Sequence, residues 1–381
     1  MRVLASTTAG AGHFAPLAAF AVAVRDAGHE VVVAAPASFA STIEGAGLVH
    51  RPFADASGEE LGAVFSKFAG LSNHDGNAIV IGEVFGRINT TAALPGMRAI
   101  VEEFRPDVVL RESSEFSSLL VAGEAGIPHA QVACGLAAYE EEFRPVVERA
   151  LVALRKDLDL VALKSVPRLT LLPESFEDPA FTGSDVTRRF RRTANAGSES
   201  RPLPDWWGGG SSDPLIYVTF GSVAAGIGLF PDFYRGVIAG LAGLPLRALV
   251  TVGAAGDPQV LEPLPPNVHV ERWWPQEQLM PHVAALVGHG GFGTTFSGLA
   301  AGVPMVVVPL FADQPATARR VAEAGAGIAL DGGPAAAGSV GEAVLKVLSD
   351  SSYRDGVERI AADISRLPPV SEAVTFLQSL A

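Results

Sequence analysis

Short, unbroken runs of valine, isoleucine, leucine and alanine recur along this chain, separated by longer helical stretches, and the whole alternation runs twice. In the first half the strand-like runs fall at 2–5, 30–35, 48–52, 107–111, 129–134 and 169–172. In the second they fall at 215–220, 246–252, 268–271, 285–288, 304–308 and 327–330. Runs that are apolar throughout belong to strands covered on both faces, which means parallel sheets flanked by helices. Between the halves, 194–214 mixes glycine, serine, proline and Trp206-Trp207 with no period and reads as an interdomain linker. A length of 381 residues accommodates two such domains. The expected fold is therefore α/β, two doubly wound Rossmann-like domains in one chain. The expected division is 1–194, a linker over 195–214, then 215–362, with the last fifty or so residues helical.

The balance of charge excludes some partners. A net charge of −13 argues against a phosphate-backbone binder, which needs cationic contacts. The one basic run, Arg188-Arg189-Phe190-Arg191-Arg192, reads as a solvated edge near the linker. Cys134 is the single cysteine, so no intrachain disulfide and no cysteine-based metal cluster is expected, which suits a reducing compartment. No apolar run is long enough for a membrane span, and Pro16 and Arg25-Asp26 interrupt what could pass for a secretion signal. A cytoplasmic location is expected.

Chemistry is most concentrated at His289-Gly290-Gly291-Phe292-Gly293-Thr294-Thr295. A strand, a glycine turn and a helix start make an anion site, because the backbone can approach closely and the helix N-terminus presents unpaired N–H groups. Histidine and threonine add donors, so the turn is read as a cradle for the diphosphate of a nucleotide sugar. Nearby strand ends add Ser222, Trp273, Trp274, Gln276 and the pair Asp313-Gln314. An aromatic beside a phosphate cradle can stack on a nucleobase. A carboxylate beside an amide suits sugar hydroxyls. Core packing for the tryptophans, a plain turn for Ser222 and a helix cap for Asp313 are the competing readings.

In the first half, 10–16 follows the first strand and matches Gly-x-Gly-x-x-Ala. The second strand ends without the acid that a dinucleotide site needs, so an NAD site is disfavoured. His13 sits just before a helix that Pro16 helps to start, at the sheet edge where ligands bind. Proximity to a helix N-terminus is expected to lower its pKa and favour the neutral base; a capping histidine is the alternative. Its orienting partner is Glu112, with Glu115 as runner-up. The irregular stretch 55–94 holds Phe65, Phe68 and Phe85 and is either a substrate pocket or a helical cap with its own small core. With Gly12 these phenylalanines are the candidate acceptor contacts. There is no Asp-x-Asp at a strand end and no histidine pair at ligand spacing, so no metal or other cofactor is expected.

With these residues assembled, the chain resembles the two-domain GT-B glycosyltransferases of family 1, most of all actinomycete enzymes that glycosylate antibiotics and other secondary metabolites. The motifs that carry the resemblance are Trp273-x-Pro275-Gln276, His289-Gly290-Gly291-x-Gly293-Thr294-Thr295, Gly302-Val303-Pro304 and Asp313-Gln314, with Gly12-His13-Phe14-Ala15-Pro16 in the first half. The resemblance implies that the domains face a central cleft and that a C-terminal helix, placed at 363–381, returns to the N-terminal domain. It implies that the first tryptophan stacks on the base, that His289 and the glycine turn hold the diphosphate, that Asp313 and Gln314 contact the donor sugar, and that His13 deprotonates the acceptor. Two positions depart from the family. Glu112 stands where aspartate is usual, and Ser297 stands where plant members carry a glutamate that grips both ribose hydroxyls.

The reading is an inverting, metal-independent transfer of a sugar, a deoxysugar from a dTDP donor, to a small apolar natural-product acceptor. Partners are that acceptor and the nucleotide sugar, with no nucleic acid or membrane span and a homodimer left open. An NDP-sugar epimerase of similar fold and a non-catalytic glycosyltransferase helper are the alternatives.

Overall fold

A computed structural model describes residues 1–179, 186–192 and 212–381. Most of the expected linker, 195–211 with Trp206-Trp207, lies outside the described residues. Of those described, one compact unit takes in 1–172, 177–179, 186–192 and 367–381, and the other 173–176 and 212–366.

The first unit is built on seven strands: β1 (Arg2–Ser6), β2 (Glu30–Pro36), β3 (Val49–Phe53), β4 (Val108–Glu112), β5 (His129–Val132), β6 (Arg168–Thr170) and β7 (Thr187–Arg189). They pair in parallel in the order β3-β2-β1-β4-β5-β6-β7. Val3, Leu4 and Ala5 are all fully buried, as are Val108, Val109 and Leu110. Each such valine or leucine contributes about 1.5–3 kcal/mol by leaving water, which is why continuous apolar runs read as sheet interior. The order reverses between β1 and β4. At such a switch point the helices after the two strands go to opposite faces and leave a crevice at the carboxyl edge.

Two features of this unit differ from the sequence reading, and a third selects one of its two alternatives. First, the helix after β1 spans Ala11–Asp26, with Gly10 as N-cap, so Pro16 lies inside it and His13 sits in its first turn. The chain turns tightly before it, where the Gly10 amide donates to the Thr8 carbonyl at 2.9 Å. Second, the basic run is more than a solvated edge: Arg188 and Arg189 belong to β7, the edge strand of the sheet. Phe190 is buried edge-on against Phe20, and Arg192 donates to the Ala15 carbonyl at 3.2 Å. Charge concealed the strand, since an edge strand tolerates cations that an interior strand does not. Third, 55–94 folds as helices Gly58–Phe65 and Asn73–Ile79, followed by a π-helical segment, Val80–Asn89. Val64, Val84 and Ile88 form its own small core, as the cap reading required.

The final segment also belongs to this unit. The expected domain boundary at 362 falls inside helix Ser351–Arg366, which stops before Pro368-Pro369, where proline disfavours a helix. Beyond it, Arg191 and Pro369 form a parallel bridge, and helix Ala373–Leu380 packs against Ala11–Asp26.

The second unit repeats the topology. Its strands are β8 (Leu215–Thr219), β9 (Arg247–Thr251), β10 (Val268–Glu271), β11 (Ala285–Gly288), β12 (Met305–Val307) and β13 (Gly327–Ala329). All pairs are parallel, in the order β10-β9-β8-β11-β12-β13, with the reversal between β8 and β11. Ile216, Val218, Val250, Val287 and Val306 anchor one continuous core under helices Asp232–Leu241 and Val340–Ser349. Two Rossmann-like sheets in sequence match the GT-B plan.

Candidate active site

The first unit places a histidine and a carboxylate across its switch point. Glu112 is the last residue of β4, fully buried, and its carboxylate is saturated with donors. One oxygen, Oε1, accepts from the Thr8 amide at 3.1 Å and the Thr8 hydroxyl at 2.9 Å. The other, Oε2, accepts from the Ser114 amide at 2.6 Å and lies 3.1 Å from His13 Nδ1. Burial alone would raise the Glu112 pKa, but His13 and these donors outweigh it and hold the group below the usual carboxylate range. An ionised carboxylate only accepts, so Nδ1 carries the proton and Nε2 is left to act as base. Glutamate thus reaches the histidine despite its extra methylene.

The expected lowering of the His13 pKa is not what this geometry produces. Burial, the largest single influence, does lower it, but the Glu112 carboxylate and the Cys134 thiol together outweigh burial and the pKa ends well above 6.5. A helix end is worth about 0.3–1 kcal/mol. A carboxylate at 3.1 Å is worth on the order of 5 kcal/mol at an effective dielectric of about 20. The carboxylate therefore decides the sign.

Glu115, the runner-up partner, is committed elsewhere. Its carboxylate accepts from the amides and hydroxyls of Ser117 and Ser118 and so caps helix Ser117–Ala125. Thr8 and Cys134 are site neighbours that linear reading missed. Thr8 was a turn residue without a pattern, and Cys134 was weighed only for disulfides and metal motifs. The Cys134 thiol lies 3.5 Å from the His13 carbonyl and 3.7 Å from Glu112 Oε2. Of the acceptor candidates, Phe85 is the one set against the histidine, with ring centroids 5.4 Å apart. Phe65 and Phe68 pair with each other at 5.3 Å, and Phe65 is half exposed. A side chain at Gly12 would meet nothing within 4 Å, so open space lies beside it.

In the second unit the glycine turn joins β11 to helix Phe292–Ala300, with Gly291 as its N-cap. The Thr295 amide is bonded to the Gly291 carbonyl at 3.0 Å, so the amides of Phe292, Gly293 and Thr294 form the open first turn. A side chain at Gly293 would meet nothing within 4 Å, which leaves room for an anion. Gly290 needs its φ of 87°, and a Cβ added there would come 3.0 Å from the Gln314 carbonyl, so a side chain at this position would be both strained and crowded. His289 is buried with its Nε2 edge against Gly221 and Gly291. Burial lowers its pKa to about 4, with the Thr219 carbonyl pulling the other way. It is therefore a neutral donor at working pH.

Around this cradle, Gln276 Nε2 donates to the Thr294 hydroxyl at 3.2 Å, joining two of the expected donor residues. Ser222 is exposed on the loop after β8. The tryptophans separate cleanly: Trp273 is 68% exposed and Trp274 is 3% exposed, so Trp274 is a core residue and leaves the donor set. A pair of adjacent residues leaving a strand points to opposite sides, and sequence alone did not say which was which. Gln314 Oε1 accepts from the amides of Leu310 and Phe311 at 2.9 and 3.0 Å. Its oxygen therefore shapes the loop, and only the NH₂ end remains to meet a sugar. Asp313 follows Ala312, a non-glycine residue held at φ 55°. Such strain commonly accompanies a functional loop.

Comparison with known proteins shows the family. Residues 22–221 match the N-terminal domain, and 237–380 the C-terminal domain, of the erythromycin biosynthesis protein CIII-like family. The 4'-demethylrebeccamycin synthase of Lentzea aerocolonigenes is 28% identical over an alignment covering 100% of this chain and 99% of its own. The glycosyltransferase SnogD from Streptomyces nogalater superposes with a TM-score of 0.78 at 26% identity, over 100% of this chain and 99% of its own. The Streptomyces sp. SF2575 glycosyltransferase SsfS6, solved with thymidine diphosphate, gives 0.79 at 26%, again over 100% and 99%. The epimerase and helper readings give way to these matches. Among the described residues no helix is long and apolar enough to cross a membrane. With both of its halves matched, the chain belongs to the erythromycin biosynthesis protein CIII-like family and is a nucleotide-sugar glycosyltransferase.

Proposed function

We propose that this enzyme transfers a deoxysugar from a dTDP donor, with inversion and without a metal or other cofactor, to a hydroxyl on a small apolar natural-product acceptor. The observation that carries the reading is the His13–Glu112 pair at a sheet switch point. Its proton is fixed on Nδ1, its Nε2 is free, and Phe85 stands beside it. His13 Nε2 takes the acceptor proton as the oxygen attacks C1 of the sugar. Glu112 orients the ring and stabilises the imidazolium. Attack opposite the leaving group inverts the anomeric centre. The diphosphate departs into donors supplied by His289 and the helix N-terminus at Gly293 and Thr294, which take the place of a cation. Trp273 supplies an exposed ring for the base, while Ser222, Gln276, Asp313 and the Gln314 amide complete the donor set. Gly12, Phe65, Phe68 and Phe85 border the acceptor.

Two observations support dTDP. Ser297 donates to the Gly293 carbonyl at 2.9 Å and offers no carboxylate to a ribose 2′-hydroxyl. The SsfS6 relative was solved with thymidine diphosphate. Calorimetry with dTDP, UDP and NAD in the presence of EDTA tests the donor half: tight dTDP binding is expected, and equal turnover of dTDP- and UDP-glucose contradicts it. The anomeric configuration of a product, read by NMR, tests inversion. Full turnover in EDTA tests metal independence.

A further inference from the structure

Three neighbouring strands of the first sheet, β1, β4 and β5, deliver His13, Glu112 and Cys134 to one point. We infer that these side chains form a binding site for a thiophilic divalent cation such as Zn²⁺, whose occupation switches the transferase off.

The spacing is close to what such an ion requires. The donor atoms all lie within 4.8 Å of one another, and this is the only such group among the described residues. Zinc bonds of about 2.0–2.3 Å in tetrahedral geometry place neighbouring ligand atoms roughly 3.3–3.6 Å apart. His13 Nδ1 to Glu112 Oε2 is 3.1 Å, and Cys134 Sγ to Glu112 Oε2 is 3.7 Å. The surroundings also suit ligation. Thr8 holds the far oxygen of Glu112, and the Cys134 amide donates to Ser113 Oγ at 3.2 Å, so two ligands are oriented from behind. Thiolate with imidazole selects zinc-like ions over Mg²⁺ or Ca²⁺, and three protein ligands leave a fourth position for water.

The charge and proton balance closes. Cys134 loses its thiol proton to solvent, and neutral His13 shifts its proton from Nδ1 to Nε2. Thiolate and carboxylate together neutralise the dication. A histidine with metal on Nδ1 and hydrogen on Nε2 accepts no proton from an acceptor. Binding rests on geometry alone; the switch rests also on His13 being the base.

The test uses the full chain stripped with a chelator. Because Cys134 is the only cysteine, a thiolate-to-metal absorption band on adding Co²⁺ reports this site alone. One ion per chain is expected, with that band, unaffected by excess Mg²⁺. Cys134→Ala should abolish the band and, with the near-isosteric Cys134→Ser as a check on folding, weaken Zn²⁺ binding by about tenfold or more. Zn²⁺ should halt turnover, and chelator should restore it. No thiolate band in the wild type, or a Zn²⁺ affinity in both variants equal to that of the wild type, overturns the site. A thiolate band with undiminished turnover overturns the switch while the site itself stands, and the base role of His13 is decided separately by His13→Ala.

Discussion

His13 follows β1 and His289 follows β11, each beside the point where its sheet reverses strand order. The surroundings of the two rings are opposite. His13 faces a buried carboxylate and is pushed toward the charged form. His289 lies against two glycine backbones with no carboxylate beside it, and is pushed down to about 4. One topology therefore yields a histidine pushed toward the charged form at one switch point and a neutral one at the other. Fold supplies the position, and the residue contributed by the neighbouring strand supplies the chemistry.

The strongest break of this comparison is at His13. His13→Ala should lower turnover with a hydroxyl acceptor by about two to four orders of magnitude and leave dTDP affinity nearly unchanged. Near-normal turnover would remove it from the base role. His289→Ala should instead weaken dTDP binding itself. Removing a donor to a charged group costs about 1.5–3 kcal/mol, roughly 10–100-fold in dTDP affinity by calorimetry. If His289→Ala binds dTDP as tightly as the wild type, the glycine turn is not the cradle.

Protonation sharpens the same contrast. His13 must be neutral to act, and its pKa lies above 6.5, so kcat/KM should fall as pH drops through that raised value. Glu112→Gln removes the carboxylate that raises it and should move the acid limb to lower pH as well as slow turnover. A limb that stays in place in Glu112→Gln belongs to another group. The pair also contributes stability that is complete below about 6.5 and is lost as pH rises through the folded His13 value. The His289 contribution runs the other way: it is present above 6.5 and lost as pH falls toward about 4.

What could be read from sequence follows the same division. Strand runs such as 285–288 were legible because an interior parallel strand needs apolar residues on both faces. So was the glycine turn, whose backbone demands restrict the residue types. The pairing of His13 with Glu112 could be ranked first but not separated from Glu115, because both carboxylates stand at the end of the same strand and only the serines at 117 and 118 claim the second. Cys134 was illegible as a neighbour for a related reason: 121 residues separate it from His13, and adjacency arises from the strand order. β7 was hidden because its arginines obeyed edge-strand rules that resemble those of a surface loop.

The smallest expected effect concerns how the donor site tells one nucleotide from another. Ser297 lies one helical turn after Gly293, and its hydroxyl bonds back to that residue's carbonyl. A glutamate there would lose this local bond and reach beyond the helix with a carboxylate, which a ribose 2′-hydroxyl can satisfy and a deoxyribose cannot. One such bond is worth about 0.5–1.5 kcal/mol net, so Ser297→Glu should raise UDP affinity by roughly 2–13-fold. The same carboxylate gains nothing from dTDP, so the dTDP-to-UDP ratio should fall by about the gain in UDP. Titration of both nucleotides into both proteins reads the ratio directly. An unchanged ratio would mean that discrimination lies at the base, beside Trp273, and that the two units differ there by stacking as well as by the protonation of their histidines.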